Sequence, residues 1–193
     1  SGQFVAYHTA FGSLLGSDLA AAGGTGSGDA FNGGSAAAQG VEVEFAWDPL
    51  RTHGSGWALP IRGAYTYTHA VFTESFESAY EPWGLVDAGD FMPYLAPHTA
   101  SLGATLEKEG LHFDVNARYA AAMRTEAGIG EAGLWTDAAL VVDAGVRGVL
   151  GEHVEVRAAV TNVADAVYSV ARRPYGLRPG APRMLRVGCS WAF

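Results

Sequence analysis

At 193 residues the chain is sized for one domain, and no stretch approaches the roughly 18 consecutive apolar residues of a spanning helix, which excludes a helical membrane protein. A formal charge of −8 argues against nucleic acid, and a single cysteine, Cys189, excludes a disulfide framework and a cysteine-built metal site. A hydrophobic content of 49% and a mean hydropathy of +0.09 are ordinary; they suit a chain that crosses a bilayer with strands of about 9–11 residues, apolar on one face only.

The sequence opens within a strand. Ser1 to Phe11 sets Phe4, Ala6, His8 and Ala10 against Val5, Tyr7, Thr9 and Phe11, with no initiator Met, charged n-region or apolar signal segment before it. The expectation is the C-terminal portion of something longer. Seven further segments alternate with period two. The second, Ala36 to Trp47, places Val41, Val43, Phe45 and Trp47 opposite Glu42, Glu44 and Ala46. The third, Trp57 to Phe72, sets Leu59, Ile61, Tyr65 and Tyr67 against Arg62, Thr66 and Thr68. The fourth, Pro97 to Glu107, alternates Ala100, Leu102, Ala104 and Leu106 with Thr99, Ser101, Gly103 and Thr105. The fifth, Leu111 to Arg124, is the cleanest: Leu111, Phe113, Val115, Ala117 and Tyr119 oppose His112, Asp114, Asn116 and Arg118. The sixth, Thr136 to Leu150, pairs Leu140, Val142, Ala144 and Val146 with Val141, Asp143, Gly145 and Arg147. The seventh, His153 to Tyr168, carries Val154, Val156, Ala158 and Val160 opposite Glu155, Arg157 and Thr161. The eighth runs from Leu185 through Val187, Cys189 and Trp191 to Phe193, apolar at every second position.

The polar face of the fifth strand decides the architecture. His, Asp, Asn and Arg in consecutive slots would be heavily penalised in a dry core, so they face either bulk water in a sandwich or the wet interior of a wide barrel. Loop lengths favour the barrel. Short turns (Asp48–Gly56, Glu107–Gly110, Leu150–His153) alternate with long ones (Gly16–Gly34, Ser75–Ala96, Thr125–Trp135, Ser169–Pro182), as short periplasmic turns alternate with long external loops in outer-membrane barrels. Trp47, Trp57, Trp191 and Phe193 fall at the short-turn ends, and Tyr67, Tyr119 and Tyr168 toward the other, the two girdles that interfacial aromatics form. The fold expected is therefore all-β: an antiparallel transmembrane β-barrel segment of eight meandering strands.

Several motifs carry a family resemblance. Asn32-Gly33-Gly34 followed by Gln39-Gly40-Val41-Glu42-Val43-Glu44, then Ala64-Tyr65-Thr66-Tyr67-Thr68, resembles the late barrel of TonB-dependent outer-membrane receptors. Thr161-Asn162-Val163-Ala164-Asp165-Ala166-Val167-Tyr168 is similar to their penultimate-strand signature of Asn, apolar, any residue, Asp, two more, then Tyr. Residues 172–183, with Arg172, Arg173, Tyr175, Arg178 and Arg183, are similar to the last external loop of ferric-siderophore and ferric-citrate type members. The terminal strand, through Leu185, Val187, Trp191 and Phe193, resembles the C-terminal signal read by the barrel assembly machinery.

The resemblance implies that residues 1–193 are the C-terminal part of a plugged barrel of about 22 strands, with the plug and earlier strands absent. It implies an outer-membrane location, uptake of a ferric siderophore or similar chelate, and partners that include outer-membrane lipid and lipopolysaccharide, the assembly machinery, and TonB through the missing N-terminal part. No cofactor and no enzymatic activity are expected: there is no nucleophile elbow, phosphate loop or zinc spacing.

Candidate ligand-binding residues lie in the long loops. Arg172, Arg173 and Arg178, with Tyr175, form a basic final loop suited to an anionic chelate or lipopolysaccharide phosphate; the bland alternative is a loop pinned by arginine pairs to Glu74, Glu77, Asp87 or Asp90. Tyr80 and Trp83, with Phe76 and Tyr94, would stack on a ligand or pack their loop on itself. His112 with Asp114, and Glu42 with Glu44, read as solvated or plug-facing lumen residues rather than acid–base or metal pairs. The Gly23–Gly28 run is a loop tip, since no helix follows it to make a phosphate site. Two other readings stand beside the receptor: a complete eight-stranded barrel with a structural or adhesive role, whose first and last strands must pair, and a hydrolase built on His112 and Asp114.

Overall fold

The computed structural model describes residues 1–17, 27–51, 56–78, 84–128, 135–151, 153–172 and 176–191. Alternation of apolar and polar residues yields eight long strands: β1 (Gly2–Phe11), β4 (Ala36–Trp47), β5 (Ile61–Phe72), β8 (His98–Lys108), β9 (Leu111–Ala120), β10 (Ala139–Leu150), β11 (Val154–Thr161) and β14 (Met184–Trp191). They form one antiparallel sheet in the order β1-β4-β5-β8-β9-β10-β11-β14, a pure meander in which each long strand pairs with the next. Six short strands, β2 (Leu15–Ser17), β3 (Ala30–Asn32), β6 (Phe76–Glu77), β7 (Leu85–Val86), β12 (Ser169–Ala171) and β13 (Arg178–Pro179), make three small hairpins within the long loops.

Register carries the alternation from strand to strand. Phe4 opposes Val43, which opposes Tyr65, then Ala100, Tyr119 and Leu140. At the far edge Val146 opposes Ala158, which opposes Val187. Every apolar column read from the sequence therefore falls on one face, and that face is uncovered: Val187 is 72% and Trp191 66% exposed. A contiguous apolar surface of this extent is untenable in water, whereas lipid makes it favourable. Cys189 sits in this column opposite Val156, a small hydrophobe as expected.

Three turns close the short-loop end. β8 and β9 are joined by Glu109 and Gly110, with φ of 45° and 83°; both central residues are left-handed, as a type I′ hairpin turn requires. Gly151 and His153 flank the second turn, and His153 stacks on Trp191 with ring centroids 6.4 Å apart. The third turn is held by Asp48, whose Oδ1 accepts the N–H groups of Leu50, Arg51 and Leu59. Trp47 and Trp191 end their strands at this level, and Trp57 lies under Lys108 Nζ at 5.3 Å.

The strand ends depart from expectation at four places. β5 starts at Ile61 rather than Trp57, because Pro60 has no N–H to donate and Ala58 bridges Glu107 instead. β9 stops at Ala120 rather than Arg124, β10 begins at Ala139 rather than Thr136, and β11 ends at Thr161 rather than Tyr168. In the last three cases the missing residues turn into the long loops. Tyr168 accordingly leaves the girdle assigned to it and packs on Gly180, where a Cβ would lie 2.0 Å from its ring. The complete eight-stranded barrel is not favoured: β1 and β14 occupy opposite edges of an open sheet and are not paired among the described residues.

The buried apolar cluster lies at one end of the wall, where β4 begins and β5 ends. Ala36, Phe72 and Val86 are buried together at the long-loop end, with Leu14, Phe76, Met92 and Ala127 packed around them. Segment 84–97 folds back along β5: Phe72 N–H donates to Asp90 O and Met92 N–H to Ala70 O. The described parts of these loops thus form a cap on the sheet.

Candidate functional site: lumen wall and external cap

The inward face of the sheet is a polar wall. Arg118 Nη2 reaches Asp143 Oδ2 at 2.7 Å, His112 Nδ1 lies 3.1 Å from Glu107 Oε2, and Arg147 Nη1 stands 3.9 Å from Glu155 Oε2. These pairs cross from strand to strand, the arrangement expected of opposite charges on one face. Gly145, opposite Asp114, leaves room for that carboxylate; a Cβ there would stand 2.6 Å from Oδ2. The wall is concave between β1 and β10, forming an open groove of about 950 Å³ whose lining includes Gln3, Glu44, Arg62, Asn116, Arg118 and Asp143. Glu42 and Glu44 are exposed on the same face. His112 Nδ1 pairs with Glu107 across β8 and β9, and Asp114 faces Gly145 on the neighbouring strand. Among the described residues no cluster of His, Cys, Asp and Glu is arranged to hold a metal.

The external cap is tied by side chains that do not alternate. Asn162 is 2% exposed at φ 51°. Its Nδ2 donates to Ala166 O at 2.9 Å and Ala181 O at 3.0 Å, and its Oδ1 accepts Ala166 N–H at 2.8 Å. Asp165 takes Arg183 through its backbone N–H at 3.1 Å and its guanidinium at 3.3 Å. With Tyr168 over Gly180, all three polar landmarks of the penultimate-strand signature clamp the final loop. The motif is a staple.

A second tie joins the two last external loops. Ser169 Oγ and N–H both donate to Asp137 Oδ2, at 2.7 and 2.9 Å, and Asp137 N–H returns to Ser169 Oγ at 3.0 Å. The Ser169 hydroxyl, then its N–H, hold the Asp137 carboxyl below the ordinary carboxylate range; Arg172 adds to this and burial opposes it. Arg124, only 6% exposed, donates to the carbonyls of Glu126 and Ala127 and lies 5.3 Å from the Trp135 ring centroid. On the outward face nearby, Tyr65 Oη and His98 Nδ1 are 2.8 Å apart and His69 meets Phe91 edge-on.

Arg172 is half-buried and its Nε donates to the Trp135 carbonyl. Arg178 is exposed on β13, and Arg186 is exposed on the inward side of β14, opposite Ala159. Of the four carboxylates considered as pins, Asp90 holds its own loop, its Oδ2 accepting Asp87 N–H. Arg173, Tyr175, Tyr80, Trp83 and Phe193 lie outside the described residues. Leu185, Val187 and Trp191 of the terminal signal line the outward face, exposed.

Sequence reading missed Asp143 with Arg118, Asp137 with Ser169, and Arg124. Only the first left a trace: Asp143 and Arg118 occupy inward columns of strands expected to be neighbours.

No curated protein matches the chain. Among solved structures it is similar to the ferric-catecholate import receptor Fiu of E. coli K12. To the closed form it has 18% identity and a TM-score of 0.68, over 100% of this chain and 25% of that one. To the open form it has 17% identity and a TM-score of 0.61, over 98% and 26%. It is also similar to BauA, the ferric preacinetobactin receptor of Acinetobacter baumannii, at 16% identity and a TM-score of 0.51, over 97% and 34%. The chain thus spans about a quarter to a third of the receptors it matches, and at these identities the likeness is one of fold. The family description "TonB dependent receptor-like, beta-barrel" matches residues 1–163. With that match over a meander apolar outside and polar inside, the chain belongs to the TonB-dependent receptor β-barrel family.

Proposed function

We propose that this chain is the C-terminal wall and external cap of an outer-membrane receptor that takes up a ferric chelate using energy delivered through TonB. The observation that carries the reading is the register: eight strands hold one uncovered apolar face and one cross-linked polar face without a slip. An open sheet edge is not tolerated in hydrocarbon, so β1 and β14 find partners in further strands of the same barrel. Outer-membrane lipid covers the apolar columns, lipopolysaccharide borders the cap, and the assembly machinery reads Leu185, Val187, Trp191 and Phe193.

The ligand reaches the final loop and the Ser75–Ala96 loop, where Arg173, Tyr175, Arg178, Tyr80 and Trp83 receive it. Arg172 contributes charge from a fixed position, its Nε already bound to Trp135 O. A ferric catecholate or similar anionic complex suits guanidinium groups and aromatic rings, and the neighbouring receptors are named for such ligands. Transport rather than catalysis is the activity, as in the rest of the family.

The test is made in the full-length receptor. Arg173→Glu with Arg178→Glu weakens a ferric tris-catecholate by about tenfold or more in a fluorescence titration, as loss of two charge-assisted contacts implies. Unchanged affinity removes the loop from the ligand site. Growth of a receptor-deletion strain, complemented with the intact gene, on a panel of ferric chelates selects the ligand class.

A further inference from the structure

The two carboxylate oxygens of Asp143 serve different parts of the molecule. Oδ2 holds Arg118 of the inner groove at 2.7 Å. Oδ1 accepts the backbone N–H of Asn162 at 2.8 Å, at the point where the chain leaves β11 for the last external loop. Asn162 in turn clamps Ala166 and Ala181, one at each end of that loop, and Asp165 adds Arg183. Asn162 takes a left-handed φ of 51°, which Asn adopts more readily than most residues, and these contacts fix its side chain and N–H in place. The final loop is therefore clamped by Asn162, whose own N–H is held by a groove residue, beside a backbone bond from Val163 N–H to Val142 O at 2.7 Å.

We propose that Asp143 is a positioning residue for the last external loop, and that Arg118 transmits to it the presence of an anionic group in the groove. The side chain of Arg118 is 65% exposed and that of Asp143 22%, so an entering anion meets the guanidinium first. An anion bound to Arg118 competes with Oδ2, and the carboxylate is then left to Asn162 and water. The structural link stands by itself; its consequence for ligand capture rests on the reading of the final loop given above.

Backbone amide exchange in the full-length receptor tests the link. Asp143→Ala speeds exchange at Asn162, Ala166 and Arg183 by about tenfold or more, the effect of losing one buried hydrogen bond, while amides of β8 and β9 keep their protection. Asp143→Asn retains an acceptor for the Asn162 N–H but gives up the Arg118 pair, so it recovers protection only to the level of Arg118→Gln, a graded result that a general loss of stability would not give. Arg118→Gln changes the same loop amides and no others. Unaltered loop exchange in Asp143→Ala, or an equal rise in every strand, overturns the proposal. With a ferric tris-catecholate as probe, Asp143→Ala weakens binding and Asp143→Asn recovers it in part. Faster loop exchange with unchanged affinity leaves the positioning role standing and removes the loop from ligand capture.

Discussion

The wall and the cap of this molecule are stabilised in opposite ways. In the wall the apolar side chains, such as Val115 and Val187, remain exposed and no dry core forms behind them. In the cap, Phe72, Thr125 and Asn162 are buried and bound by specific partners. The wall depends on its surroundings, on lipid outside and water inside, and needs only a repeating pattern. The cap depends on itself and needs particular residues at particular places.

Mutations separate the two regimes. The largest effect is expected in the cap. Phe72→Ala removes an aromatic of 0% exposure and should lower the unfolding free energy of the full-length receptor by about 3–5 kcal/mol, measured by denaturant titration in vesicles. A loss below about 1 kcal/mol would mean that the cap cluster contributes little. Next comes the wall's outward face. Val115→Arg, mid-strand on β9, places a charge in hydrocarbon and should cost about 2–4 kcal/mol in the same titration. An equal charge on the inward face, Thr99→Arg, should change stability by no more than about 0.5 kcal/mol. Similar values for the pair would abolish the distinction between faces.

Asn162→Ala leaves the Ala166 N–H and two carbonyls without their partner and should cost about 2–3 kcal/mol. Unlike Val115→Arg, it should also open residues 163–183 to external protease. The smallest effect is one of pH. The Asp137 carboxyl is depressed in the folded state by Ser169, so its stabilising contribution is complete above the unfolded value of about 3.9. The contribution fades as pH falls through the lower folded value. The tie between Asp137 and Ser169 should therefore persist from pH 7 to about pH 4 and loosen only below, and exchange of the Ser169 amide reads it. Asp137→Asn should remove that pH dependence; a transition near neutrality would contradict the assignment.

The same division separates what could be read from the sequence and what could not. Alternation determined the eight wall strands and their faces, because a period of two fixes a strand's orientation and one uncovered face fixes its register. The start of β5 was misread because Pro60 interrupts a ladder without interrupting the pattern. The cap was decided only by tertiary structure. Asn162, Asp165 and Tyr168 were legible as a motif, but their task of clamping residues 166–183 appears only when the loop returns over them. Arg172 reads from the sequence either as a ligand-facing cation or as one pinned to a carboxylate, and it donates instead to a carbonyl of another loop. Periodic burial is a local property that a chain writes into its residues; a hydrogen bond between distant loops depends on how both fold back, and no spacing along the sequence encodes it.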